Sequence, residues 1–115
     1  MNDHKPSLEY WEYEQTGGLR YGYSFLFATN ASIPLAHLHV SQKQLSIRVG
    51  LGKSKWEQFT LPRERVRSVS MRRGLFGTGV QFEHDQRGTP PCLVFWPTNR
   101  ERLLGELRSM GYPVA

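Results

Sequence analysis

Thr98-Asn99-Arg100-Glu101-Arg102-Leu103-Leu104-Gly105-Glu106-Leu107-Arg108-Ser109-Met110-Gly111 is the one stretch of this 115-residue chain with helical periodicity. Leu103, Leu104, Leu107 and Met110 recur at helical spacing and make a single apolar stripe. Thr98 is the expected N-cap, with Glu101 three residues on completing a capping box. Gly111 supplies a left-handed exit and Pro113 prevents the helix from resuming. Everything before this stretch is strand-like and broken by turns. A run of strands followed by one helix predicts an α+β, mainly β fold. The expected form is a seven-stranded antiparallel barrel or split sandwich, one open end of which is covered by the helix.

Working back through the chain, alternation and turn chemistry predict the strands. Tyr21, Tyr23, Phe25 and Phe27 alternate with Gly22, Ser24 and Leu26, which reads as a first strand over 21–27, with Gly17-Gly18 as the turn before it. Residues 30–34 read as a loop and 35–40 as a second strand. Leu45, Ile47 and Val49 mark a third, and residues 55–61 a fourth that ends at Pro62, since proline cannot donate to a ladder. Val66–Met71, Val80–Phe82 and Cys92–Trp96 complete the set, with residues 74–79 as a glycine-punctuated connection. Residues 1–18, including the aromatic run Tyr10, Trp11 and Tyr13, read as an N-terminal arm, and 19–115 as one domain.

Composition excludes several classes. The apolar and charged content is that of a globular chain, not a disordered one. One cysteine, Cys92, excludes an internal disulfide framework and suits a reducing, cytoplasmic setting. No secretion signal is visible, and the best apolar run, Phe25–Ala28, is too short for a transmembrane segment. The formal net charge of +5 favours acidic partners.

Several residue sets carry the pattern further: the hairpin from Leu38-His39-Val40 to Leu45-Ser46-Ile47, the stretch Phe59-Thr60-Leu61-Pro62-Arg63-Glu64-Arg65-Val66-Arg67-Ser68-Val69, the strand Gly79-Val80-Gln81-Phe82, and Pro91-Cys92-Leu93-Val94-Phe95-Trp96 with its helix. In this order they resemble a pleckstrin-homology-like domain of the small bacterial, GRAM-like variety. The resemblance runs from Leu35 onward. It implies a module that binds lipid headgroups, peptides or other protein domains without catalysis. The long aromatic N-terminal segment departs from it and has to supply the first strand or a cover for the barrel.

Candidate chemistry is sparse. Gly50-Leu51-Gly52-Lys53-Ser54 lacks the first glycine of a phosphate loop, where Ile47 stands, and strand rather than helix follows it. His37 and His39 share a strand face and with His84 suggest a metal set, but no further ligand joins them. Cys92 reads as a small buried hydrophobe rather than a nucleophile. The expectation is no enzyme, no cofactor and no metal. The basic residues Arg63, Arg65, Arg67, Arg72 and Arg73, with Lys53 and Lys55 on the preceding connection, form the candidate anion or partner site. Leu75 and Phe76 are the candidate hydrophobic partner contact. The other reading of the basic strand is a charged edge that resists aggregation. The expected partner is a protein or an anionic lipid or phosphate surface. The alternative is a small basic barrel that binds nucleic acid.

Overall fold

The computed structural model describes residues 12–74 and 77–115. Seven strands come first: β1 (Glu12–Gly22), β2 (Ala28–Ser41), β3 (Gln44–Val49), β4 (Glu57–Pro62), β5 (Val66–Gly74), β6 (Gly77–His84) and β7 (Cys92–Pro97). Helix α1 (Arg100–Ser109) follows them, and a 3-10 turn at Arg63–Arg65 makes the β4–β5 corner. The strands form one sheet in the order β4-β3-β2-β1-β7-β6-β5, with every neighbour antiparallel. Pairing β1 with β7 joins the β1–β4 meander to the β5–β7 meander. The sheet curls into a half-barrel around one core.

Period-2 alternation decides the inner face. Leu19, then Ala36, Leu38 and Val40, then Leu45, Ile47 and Val49, then Phe59 and Leu61 point inward, and Val66, Val69, Val80, Phe82, Leu93 and Phe95 complete the wall. Leu103, Leu104 and Leu107 of α1 and Met110 at its C-cap are buried in the same cluster, so the stripe packs into the half-barrel core. The exit is as expected: Gly111 has φ 89°, and a Cβ there would lie 2.4 Å from Arg63 Nη1. That arginine donates to the Met110 carbonyl at 2.9 Å, satisfying an oxygen the helix leaves unpaired. Beyond it, the Tyr112 hydroxyl donates to the Ser41 carbonyl, and Val114 forms a parallel bridge with Val69 on the β5 edge.

Four expectations are corrected. The N-cap is Asn99, whose Oδ1 accepts from the Arg102 amide at 3.1 Å, while Thr98 donates to the Thr16 carbonyl. Gln15 selects this start: its Oε1 accepts from the Asn99 amide and its Nε2 donates to the Asn99 carbonyl. Second, Glu12–Gly18 is the first half of β1, and Gly17-Gly18 is no turn. A Cβ at Gly17 would sit 2.2 Å from the Trp96 carbonyl oxygen, so glycine is needed for close strand approach. Third, residues 23–27 are a bent loop, because β1 ends at Gly22, where its partner β7 begins. Fourth, residues 30–34 belong to β2, in which Ser32–Leu35 bulge out opposite the single residue Gly18. The boundaries of β4 and β5 shift by a few residues, and Gly74 and Gly77–Gly79 lie within strands. The residues before Glu12, and Leu75 and Phe76, lie outside the described residues.

Candidate functional site

The loop joining β1 to β2 folds back over the outer face of the sheet. Phe25 lies inward on that face, while Tyr23, Leu26 and Phe27 are 87, 81 and 78% exposed. Arg20 holds the loop, with Nε donating to the Phe25 carbonyl at 2.7 Å. The guanidinium carbons of Arg20 and Arg72 lie 5.1 and 4.3 Å from the Phe25 ring centroid, within cation–π range. Neither arginine forms an ion pair among the described residues. Beneath the loop, Cys92 and Val94 are buried on the outer face, apart from the main core. Trp96 lies across the neighbouring strands, where a Cβ at Gly74 or Gly79 would meet its ring at 2.5 or 2.7 Å. Between this floor and the β2 bulge is a cavity of about 400 Å3, lined by Arg20, Phe25, Asn30, Ser32, Ile33 and Trp96.

A second exposed connection stands at the same end of the β1–β4 meander, because consecutive antiparallel strands put alternate turns together. Residues 51–56 carry Leu51 and Trp56, both more than half exposed, with Lys53 and Lys55 between them. Trp56 falls within the stretch read from sequence as the fourth strand. It lies before β4 begins, where no facing strand covers it.

Of the seven basic residues nominated from sequence, four hold partners within the fold. Arg63 is committed to the end of α1. Arg65 and Arg67 both face Asp85, Arg65 at 3.7 Å and Arg67 in a hydrogen-bonded ion pair. The Arg67 hydrogen bond, aided by the charges of both arginines, holds the Asp85 carboxyl below the usual carboxylate range. Arg72 joins the Phe25 loop, Lys53 and Lys55 stand on the 51–56 connection, and Arg73 is exposed with no ion-pair partner among the described residues. The residue missed from sequence is Arg20, whose partner Phe25 lies in the alternating run 21–27 that reads as a strand. Isolation in an aromatic run was the only signal available.

His39 and His84 engage different partners. His39 contacts Glu12 at 2.6 Å on the outer face of β1 and β2, whereas the His84 ring bridges the Pro90 carbonyl and the Gln86 amide. Among the described residues no three His, Cys, Asp or Glu side chains gather as a metal-type cluster. Burial pushes the Cys92 thiol up, and the charges of Arg20 and Arg72 oppose that rise. Among the described residues no helix is long and apolar enough to cross a membrane.

Fold and surface together define a mainly β class: a seven-stranded antiparallel half-barrel with a C-terminal helix and one end that is both basic and apolar. No protein-family model matches the chain, and no curated protein matches it. Among solved structures the chain is similar to the hSac2 domain from human phosphoinositide phosphatase Sac2. The TM-score is 0.53 at 12% identity, over 90% of this chain and 76% of that one. At that identity the likeness concerns the fold.

Proposed function

We propose that this chain is a non-catalytic interaction module of the pleckstrin-homology-like kind that docks on an anionic lipid surface. The observation that carries the reading is the loop at residues 23–27, where three large apolar side chains face solvent beside arginines with no acidic partner among the described residues. Isolated exposed apolar residues are ordinary, but a cluster of them marks a contact surface. Leu51 and Trp56 with Lys53 and Lys55 extend the same chemistry at the same end. Aromatic and leucine side chains suit the headgroup–acyl boundary, and each nearby Lys or Arg adds about 1 kcal/mol on an anionic leaflet. The fold neighbour is a domain of a phosphoinositide phosphatase, a setting compatible with lipid contact.

Sedimentation with vesicles of phosphatidylcholine, with and without phosphatidylserine, tests the reading. Binding is expected to the anionic vesicles alone, weakening with salt and with Lys53→Glu/Lys55→Glu. Arg65→Glu/Arg67→Glu is expected to leave it unchanged, because those side chains serve Asp85. No binding to either vesicle refutes it. Salt-sensitive binding to nucleic acid in its place selects the basic-barrel alternative.

A further inference from the structure

Strand register builds the cavity on the outer face of the sheet. Arg20 of β1 stands opposite Asn30 of β2 and Val94 of β7. Gly18, two residues back on the same face, stands opposite Trp96 on one side and the β2 bulge on the other. A Cβ at Gly18 would meet the Ala31 carbonyl oxygen at 2.8 Å and the Ile33 amide nitrogen at 3.1 Å, so glycine lets the bulge fold back over β1. On the other flank, a Cβ at Gly74 or Gly79 would meet the Trp96 ring at 2.5 or 2.7 Å, so the indole lies down along β5 and β6. The space of about 400 Å3 between indole and bulge is in the range of small-molecule pockets, about 300–1,000 Å3.

The lining chooses the ligand. Among the described residues Arg20 is its one charged side chain, and no carboxylate lines the cavity or pairs with that arginine. Nε of Arg20 donates to the Phe25 carbonyl and Nη2 reaches the Leu26 carbonyl at 3.5 Å, while Nη1 has no acceptor among the described residues. One cation beside mainly apolar walls fits a monoanion. A phosphate monoester, with about −1.5 to −2 charges at neutral pH, would bring in charge that the lining does not neutralise. A carboxylate brings a single charge, and its oxygens accept guanidinium N–H groups. The walls choose the rest of the molecule. Phe25 and Trp96 present flat rings, which gain from stacking or edge contact with another ring and not with an alkyl chain.

We propose that this cavity binds a monocarboxylate carried on a flat aromatic body, the carboxylate at Arg20 and the body between Trp96 and Ile33. The ligand is a soluble small molecule. The proposal therefore does not rest on the membrane contact proposed above, and either reading can fail alone.

The test is a vesicle-free NMR titration of the isotopically labelled full chain with 2-naphthoate. Saturable shifts are expected at the amides of Ser32 and Ile33 and at the Trp96 indole. Three comparison ligands each remove one part of the match: 2-naphthalenemethanol has no charge, octanoate no ring, and 2-naphthyl phosphate more than one charge. Each is expected to bind about tenfold more weakly or worse. Ile33 is 52% exposed, so it accepts a charge of either sign without a change in melting temperature. Ile33→Glu should weaken 2-naphthoate binding about tenfold through like charge, whereas Ile33→Lys, with an aliphatic stem and a cation, should retain it. Arg20→Gln should abolish it. Because Arg20 also holds the 23–27 loop, the Ile33 pair keeps the test separate from the fold of that loop. The proposal is overturned if 2-naphthoate does not shift these signals, if any comparison ligand binds as tightly, if the two Ile33 variants behave alike, or if binding survives Arg20→Gln.

Discussion

Replacing Leu26 and Phe27 together by serine isolates the apolar half of the proposed surface. Both side chains are about four-fifths exposed, so the folded chain loses little packing, and the melting temperature should stay within the ordinary scatter of surface substitutions, about 0.5 kcal/mol. On a membrane the same two side chains leave water. Full burial of a Leu or Phe side chain is worth about 1.5–3 kcal/mol. Scaling by the surface still open, the pair is worth about 2–5 kcal/mol. At 1.4 kcal/mol per factor of ten, partitioning onto phosphatidylserine-containing vesicles should fall about 30- to 3,000-fold. Sedimentation at fixed ionic strength measures this directly. Salt sensitivity should persist in whatever binding remains, because Lys53, Lys55, Arg20 and Arg72 are untouched. If the double variant partitions like the wild type while the lysine variants do not, the loop does not insert and the contact is electrostatic alone.

Leu107 is fully buried on the α1 stripe, and Leu107→Ala should destabilise the chain by about 2–5 kcal/mol in denaturant melts; an unchanged midpoint would mean that α1 does not seal the core. Asp85 has a depressed folded-state pKa, so its contribution is present above the unfolded value of about 3.9 and is lost as pH falls through the lower folded value. The stability difference between wild type and Asp85→Asn should therefore be small but constant near neutral pH and vanish in acid; a difference that grows below about pH 4 would contradict the pairing with Arg67. Cys92 is buried and its thiol pKa is raised, so it should react far more slowly with an aromatic disulfide reagent in the native chain than in denaturant, and equal rates would remove it from beneath the loop.

The helix and most strands follow from local pattern, because their causes lie within a few residues. Leu103, Leu104, Leu107 and Met110 form a stripe whatever they pack on, Gly111 turns the chain out of the helix, and Leu45, Ile47 and Val49 face one way on any strand. The cap was misread because Thr98 and Asn99 are both competent. The choice falls to Gln15, 84 residues away, which holds the Asn99 backbone. The first strand was misread for a related reason. Tyr21–Phe27 alternates well enough for a strand, but alternation carries no signal of where the partner runs out, and β7 begins opposite Gly22.

The candidate site is less visible from sequence still. Arg63, Arg65, Arg67 and Arg72 lie close together in the chain, yet the β4–β5 corner and the bulge between Val66 and Ser68 send them to different neighbours. Arg63 goes to a helix end, Arg65 and Arg67 to Asp85, and Arg72 to Phe25. Sequence by itself determined that this chain is a mainly β fold sealed by one amphipathic helix, since periodicity is a property of neighbouring residues. Which cations are free, and which stand beside apolar side chains, was decided by the curl of the sheet. Curling brings β1 against β7 and Arg72 over a loop that is remote from it in sequence, and contacts of that separation leave no periodic trace in the chain.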